Sequence, residues 1–232
     1  MELVPRERLV AAAAMAGADP SEVPPSAQHV EAQCASWGLS VQLKPHQAQG
    51  VSWLVNCYLR GINVILGDEV RSFYSTPYLF MGLGKTLQAI ALISFLKFER
   101  NVSGPFLILC PLSVIDGWSM EFQQRASKLH VLRYIGNKDE RALLSKKICD
   151  FVNSQSPSSW EDPKLPFDVL LTTYDLAMLD VGFLSRFRWR YGIMDEAQRL
   201  KNFSAVYSRM NIFFKGRGMS QNEKQVVQMT SR

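Results

Sequence analysis

The residues best suited to chemistry fall in two short segments. Met81-Gly-Leu-Gly-Lys-Thr86 runs directly into the apolar stretch 87–98. Gly82 and Gly84 leave room for backbone N–H groups to approach phosphate oxygens. Lys85 can reach a β- or γ-phosphate, Thr86 can place its hydroxyl on Mg²⁺, and a following helix would aim its positive end at the anion. These residues form the end of a phosphate-binding loop. The full G-x-x-x-x-G-K-[ST] spacing is not met, because Leu79 stands where the first glycine belongs. About 110 residues later, Tyr191-Gly-Ile-Met-Asp-Glu-Ala197 reads as an apolar strand ending in two adjacent carboxylates. Such a strand end can hold Mg²⁺ through Asp195 and turn an attacking water with Glu196. An Asp-Glu pair also starts many ordinary helices, where it favours the dipole. Its conjunction with an upstream G-K-T is what points to nucleotide chemistry.

Positioning these groups requires a sheet. From about residue 38, short apolar runs alternate with amphipathic stretches, the pattern of an α/β fold with a mostly parallel sheet and helices on both faces. The strands expected are 62–66, 106–110, 131–134, 169–172 and 191–194, each rich in Val, Ile, Leu or Phe as doubly buried strands are. The helices expected are 45–60, 85–100, 114–126, 140–152, 176–185 and 204–214. The segment 153–166, with three Pro and four Ser, reads as an exposed loop.

Asp195-Glu-Ala-Gln198 followed by Arg199-Leu-Lys-Asn202 resembles the DEAH/DEGH-x-x-KN segment of the Swi/Snf-type chromatin-remodelling ATPases, a branch of helicase superfamily two. Leu43-Lys-Pro-His-Gln-Ala-Gln-Gly-Val-Ser-Trp-Leu54 resembles that family's L-R-P-Y-Q-x-x-G-x-x-W-L helix. Cys110-Pro-Leu-Ser-Val-Ile-Asp-Gly-Trp118 resembles its motif Ia, and Leu171-Thr-Thr-Tyr174 its next DNA-contacting block. The wording of 106–114 and of 134–142 is nearest the chromodomain-helicase-DNA-binding-like branch. The resemblance implies one RecA-like P-loop lobe over 38–206, the N-terminal ATP-binding lobe of a nuclear DNA-dependent ATPase that moves double-stranded DNA or nucleosomes. It implies that Gln47 lies near the adenine and that Gly82, Gly84, Lys85 and Thr86 bind ATP. Thr86 and Asp195 would hold Mg²⁺, with Lys85, Asp195 and Glu196 catalytic. Pro111, Ser113, Thr172, Thr173 and Tyr174 would meet DNA through phosphate contacts, which position the duplex without reading it.

Three departures from the family stand out. Its P-loop reads G-D-E-M-G-L-G-K-T unbroken, whereas here the eleven residues 70–80 separate Gly67-Asp-Glu69 from Met81. Lengthening a loop from about 5 to about 16 residues costs only about 1 kcal/mol of closure entropy. The expectation is that folding survives and nucleotide binding weakens. Gln198 stands where the family usually has His, which predicts retuned coupling between the ATP site and the inter-lobe cleft. Beyond Ala205 the family continues into a helix, a T-G-T-P motif and a second lobe carrying arginine fingers. Residues 207–232 show no T-G-T-P and no strand-like run after Phe214, and read as a basic tail. One lobe without the arginine finger is expected to bind nucleotide better than it hydrolyses it. Two alternatives remain open at this point: an inactive nucleotide- or DNA-binding fragment that competes with or docks onto an intact motor, and an RNA-helicase lobe.

Composition adds limits. The 232 residues, 47% hydrophobic and 20% charged, suit one large domain or two small ones. No apolar run reaches the ~20 residues of a bilayer span. The net charge of +5 lies wholly in 201–232, with six basic residues against one acidic; 1–200 hold twenty of each. Charge therefore says little about the body of the protein. Cys34, Cys57, Cys110 and Cys149 lack metal or disulfide spacing, and His29, His46 and His130 stand isolated. Residues 1–37 read as a flexible Ala/Pro-rich leader. Its Arg6, Arg8 and alanine run mimic a secretory signal, but Glu2 and Glu7 argue against one.

Overall fold

The computed structural model describes residues 23–67, 84–155, 164–196 and 225–230. Six strands form one sheet in the order β1-β6-β5-β2-β4-β3, and every neighbouring pair runs parallel. They are β1 (Val64–Gly67), β2 (Phe106–Leu109), β3 (Val131–Tyr134), β4 (Val169–Thr172), β5 (Tyr191–Asp195) and β6 (Gln225–Thr230). The helices are α1 (Ala27–Gln33), α2 (Pro45–Leu59), α3 (Lys85–Ser94), α4 (Ile115–Arg125), α5 (Lys138–Asn153), α6 (Tyr174–Leu179) and α7 (Val181–Leu184). Each parallel pair needs a crossover, and among the described residues α3, α4, α5 and α6 with α7 supply those from β1 to β5.

Burial explains why the apolar runs became strands. Along β2, Phe106 and Ile108 enter one core with α1 to α4, while Leu107 and Leu109 enter a second core with Ile148 of α5, Ala177 of α6 and Leu184 of α7. Helices thus cover both faces, and continuous rather than alternating hydrophobicity is the required pattern. Local signals set the helix starts. Pro45 occupies the first turn of α2. Asn137 caps α5 by accepting from Asp139 and Glu140 N–H, and Glu140 returns a bond to the Asn137 N–H. The single helix expected over 176–185 is two, α6 and α7, joined at Asp180. The one expected over 85–100 ends in a π-helical turn at Phe95–Glu99. The helix expected over 204–214 and most of the loop 153–166 lie outside the described residues.

Two boundaries need correction. The leader expected to reach 37 is part of the lobe from Ala27 onward. Trp37 is fully buried, stands edge-on to Phe95 at 5.2 Å, and donates its indole N–H to Glu99 at 3.3 Å. Val30 of α1 is equally buried in the same core. The tail expected over 207–232 contains β6, which lies between β1 and β5, with Met229 buried opposite Asp195. Its sequence, Gln-Val-Val-Gln-Met-Thr, carries the β-branched residues of a strand, but two glutamines in a polar surrounding mask the pattern.

Trp37→Ala checks the first correction. It should cost about 3–5 kcal/mol in urea unfolding, the usual loss for a buried Trp. A flexible leader would give no change.

Candidate nucleotide site

The C-terminal ends of parallel strands are where open α/β sheets bind ligands, and here the two chemical segments meet. A cleft of about 820 Å³ is lined by Gly84, Lys85 and Thr86 from the start of α3, by Gln47 and Lys44 from the start of α2, by Ser113, Trp118, Glu121 and Arg125, and by Asp195 and Glu196. A cavity of about 520 Å³ at the N-terminal ends of β2 and β4, lined by Lys97, Pro105, Asp168 and Arg186, collects neither motif.

Gly84 is the N-cap of α3 with φ +72°, a left-handed conformation that favours glycine. A Cβ there would also overlap the Gln47 amide nitrogen. The Gln47 amide oxygen accepts from the Lys44 N–H at 3.0 Å, so its amide nitrogen is held against the loop. Gln47, Gly84, Lys85 and Thr86 thereby line one cleft. Gly82 lies outside the described residues, as do 70–80 and Gln198.

Asp195 ends β5 and is 7% exposed. Its Oδ2 accepts from the Trp118 indole N–H at 2.8 Å, and its backbone carbonyl accepts from the Tyr174 hydroxyl at 2.7 Å. Burial pushes the Asp195 carboxyl above the usual carboxylate range, and the Glu196 charge adds to this. The Trp118 hydrogen bond, the Glu196 backbone N–H and the Lys85 ammonium pull the other way. Glu196 itself has φ +53°, a conformation that costs a non-glycine residue roughly 1–2 kcal/mol and clusters at working sites. The same burial, with the Asp195 charge, lifts the neighbouring Cys110 thiol to about 12, which leaves it protonated and unreactive.

The donors fit a magnesium nucleotide. Hydroxyl and carboxylate oxygens from Thr86 and Asp195 suit a hard cation, and the glycine-capped start of α3 with Lys85 suits phosphate.

The DNA-facing set divides. Pro111 precedes and Ser113 lies within the 3₁₀ turn Leu112–Val114, where Leu112 and Ser113 are exposed. Thr172 is fully buried and donates to the Tyr134 carbonyl at 2.6 Å, Thr173 caps α6 by accepting from the Leu176 N–H, and Tyr174 is turned onto Asp195. The side chains of Thr172 and Tyr174 therefore point inward, which corrects the expectation that they touch a phosphate directly. The expectation overlooked Trp118, although the Trp lies inside a quoted block. Nothing in its spacing reveals a contact with a carboxylate 77 residues away.

Comparison with known proteins gives a family. A profile described as the SNF2-related domain matches residues 46–220. The mouse chromodomain-helicase-DNA-binding protein 1-like is 39% identical over 180 residues, which are 77% of this chain and 17% of that protein. The human chromatin-remodeling ATPase INO80 is 39% identical over 176 residues, 76% of this chain and 10% of that protein. The chain thus spans less than a fifth of either relative. Among solved structures, the Sulfolobus solfataricus SWI2/SNF2 ATPase core domain superposes with a TM-score of 0.58 at 26% identity, covering 83% of this chain and 32% of that one. The same core in complex with dsDNA gives a TM-score of 0.57 at 24% identity over the same shares, and supports the RecA-like fold. With the profile covering most of its length, this chain belongs to the SNF2-related domain family.

Proposed function

We propose that this chain is the ATP-binding lobe of a nuclear, double-stranded-DNA-dependent ATPase of the chromatin-remodelling type, and that by itself it binds nucleotide better than it hydrolyses it. The observation that carries this reading is the meeting, in one cleft, of Gly84, Lys85 and Thr86 with Asp195 and Glu196. Lys85 and the N-terminal amides of α3 would bind the phosphates, and Gln47 would border the nucleotide beside Gly84. Thr86 and Asp195 would hold Mg²⁺, which supplies charge neutralisation on the phosphoryl oxygens. Glu196 would orient the attacking water. The exposed turn around Ser113 would lie along duplex phosphates, and few such contacts suffice without a large basic patch.

Turnover is the weaker half of the activity. An arginine finger supplied by a partner lobe is worth 10³–10⁵ in rate, so residues 1–232 assayed alone are expected to turn over slowly. The relatives' names support chromatin remodelling and DNA as the setting.

Lys85→Ala should abolish ATP binding in isothermal titration. DNA-stimulated phosphate release by residues 1–232 should sit near background in both proteins. Strong release that disappears in Lys85→Ala would refute slow turnover, and ATP affinity unchanged by Lys85→Ala would refute the site. Deleting 70–80 should tighten ATP binding, because the loop could then follow its strand directly. Equal affinities would show that the insertion is accommodated.

Asp195→Asn separates binding from stability. The buried carboxyl has its pKa raised, so ionising it works against folding as pH rises through the folded-state value. The neutral amide keeps an oxygen for the Trp118 indole. The variant should melt higher than the wild type at pH 7.5, by a margin that shrinks as pH falls, while losing the Mg²⁺ dependence of nucleotide binding.

A further inference from the structure

The two hydrogen bonds on Asp195 come from two different elements. Trp118 lies in the first turns of α4, just after the exposed turn Leu112–Val114 that follows β2. Tyr174 is the first residue of α6, just after Thr173 at the end of β4. Strands β2 and β4 are hydrogen-bonded neighbours, and the Cys110 N–H donates to the Thr172 carbonyl at 3.1 Å, tying the two strand ends together. The exposed turn after β2 and the buried end of β4 therefore each lead within a few residues to the same aspartate. One grips its carboxylate and the other its backbone.

We propose that Trp118 and Tyr174 are positioning residues that fix the Asp195 carboxylate for Mg²⁺ and transmit to it the presence of duplex DNA along the exposed Pro111–Val114 turn, Tyr174 through the tie between the β2 and β4 ends. This rests on the reading of the cleft as a magnesium-nucleotide site and of the Pro111–Val114 turn as facing the duplex. Neither side chain needs to touch DNA. Trp118 is 2% exposed and Tyr174 6% exposed, so each acts through the element it begins or follows. A displacement of either element of a few tenths of an ångström changes a hydrogen bond of 2.7–2.8 Å appreciably. Thermodynamic linkage then requires the effect to be mutual: DNA alters magnesium-nucleotide affinity by the factor by which magnesium nucleotide alters DNA affinity.

A purely structural role predicts something else, and Trp189 provides the comparison. It is also fully buried and also donates its indole N–H, to the Leu184 carbonyl at 2.8 Å, but it lies in the core on the α5 to α7 side and has no bond to Asp195. The test measures the affinity of residues 1–232 for the imido analogue of ATP in EDTA, in Mg²⁺, and in Mg²⁺ with a short blunt DNA duplex. Trp118→Phe, Tyr174→Phe and Trp189→Phe are compared with the wild type. The wild type should gain affinity with Mg²⁺, and the duplex should change it about fivefold or more, the lower end of usual coupling. Trp118→Phe should keep the EDTA affinity but lose most of the Mg²⁺ gain and the duplex response. Tyr174→Phe, which removes one hydroxyl, should lose the duplex response. Trp189→Phe should lower the melting temperature and leave both responses intact. Full duplex response in Trp118→Phe and Tyr174→Phe, equal loss in Trp189→Phe, or a wild type that responds to Mg²⁺ but not to the duplex would overturn the inference alone. A wild type with no Mg²⁺ gain would overturn the reading of the cleft, and the inference with it.

Discussion

Placing a carboxylate at the buried end of a parallel strand is costly unless hydrogen bonds compensate it, and much of this lobe is arranged around that problem at Asp195. The indole of Trp118 and the ammonium of Lys85 favour its charged form, while burial and Glu196 oppose it. Tyr174 fixes the backbone beneath it, and its own phenol is driven well above the usual range by burial and the Asp195 charge, so it stays a donor. β6 lies on one side of β5 and β2 on the other, which sets where the carboxylate emerges. The strained backbone of Glu196 immediately follows. A carboxylate held this way suits a hard cation.

Strands that are buried on both faces are legible in the sequence because nothing polar interrupts them. β3 and β4 fall at the expected bounds, and β2 and β5 differ by one residue at their ends. Pro45 opens α2 at the expected residue, whereas α5 begins two residues before the expected 140, behind the Asn137 cap. β6 was not legible: Gln225 and Gln228 break the apolar run, and the surrounding charge suggested a tail. Trp37 was missed for the opposite reason, since a Pro-rich segment precedes it and only tertiary packing on Phe95 reveals its burial. The phosphate and carboxylate segments were visible from residue type and spacing. The contacts that connect them were not, because Trp118 and Asp195 meet only through the fold.

The charge distribution takes on a different meaning once β6 is placed. The six basic and one acidic residues of 201–232 flank or precede a strand inside the sheet, so that excess does not delimit a separate tail. With 1–200 neutral overall, the DNA attraction proposed for this lobe would depend on local geometry at the strand ends. Thr172 and Tyr174 contribute to that geometry from the inside.

Paramagnetic relaxation gives the most direct test that Lys85, Thr86, Asp195 and Trp118 surround one metal-nucleotide site. Mn²⁺ substitutes for Mg²⁺ and broadens NMR signals near it. With ATP present, substoichiometric Mn²⁺ should broaden the Thr86 amide and the Trp118 indole N–H and spare the Trp189 indole N–H on the other side of the sheet. Uniform broadening of both indoles, or none at Thr86 and Trp118, would contradict the account.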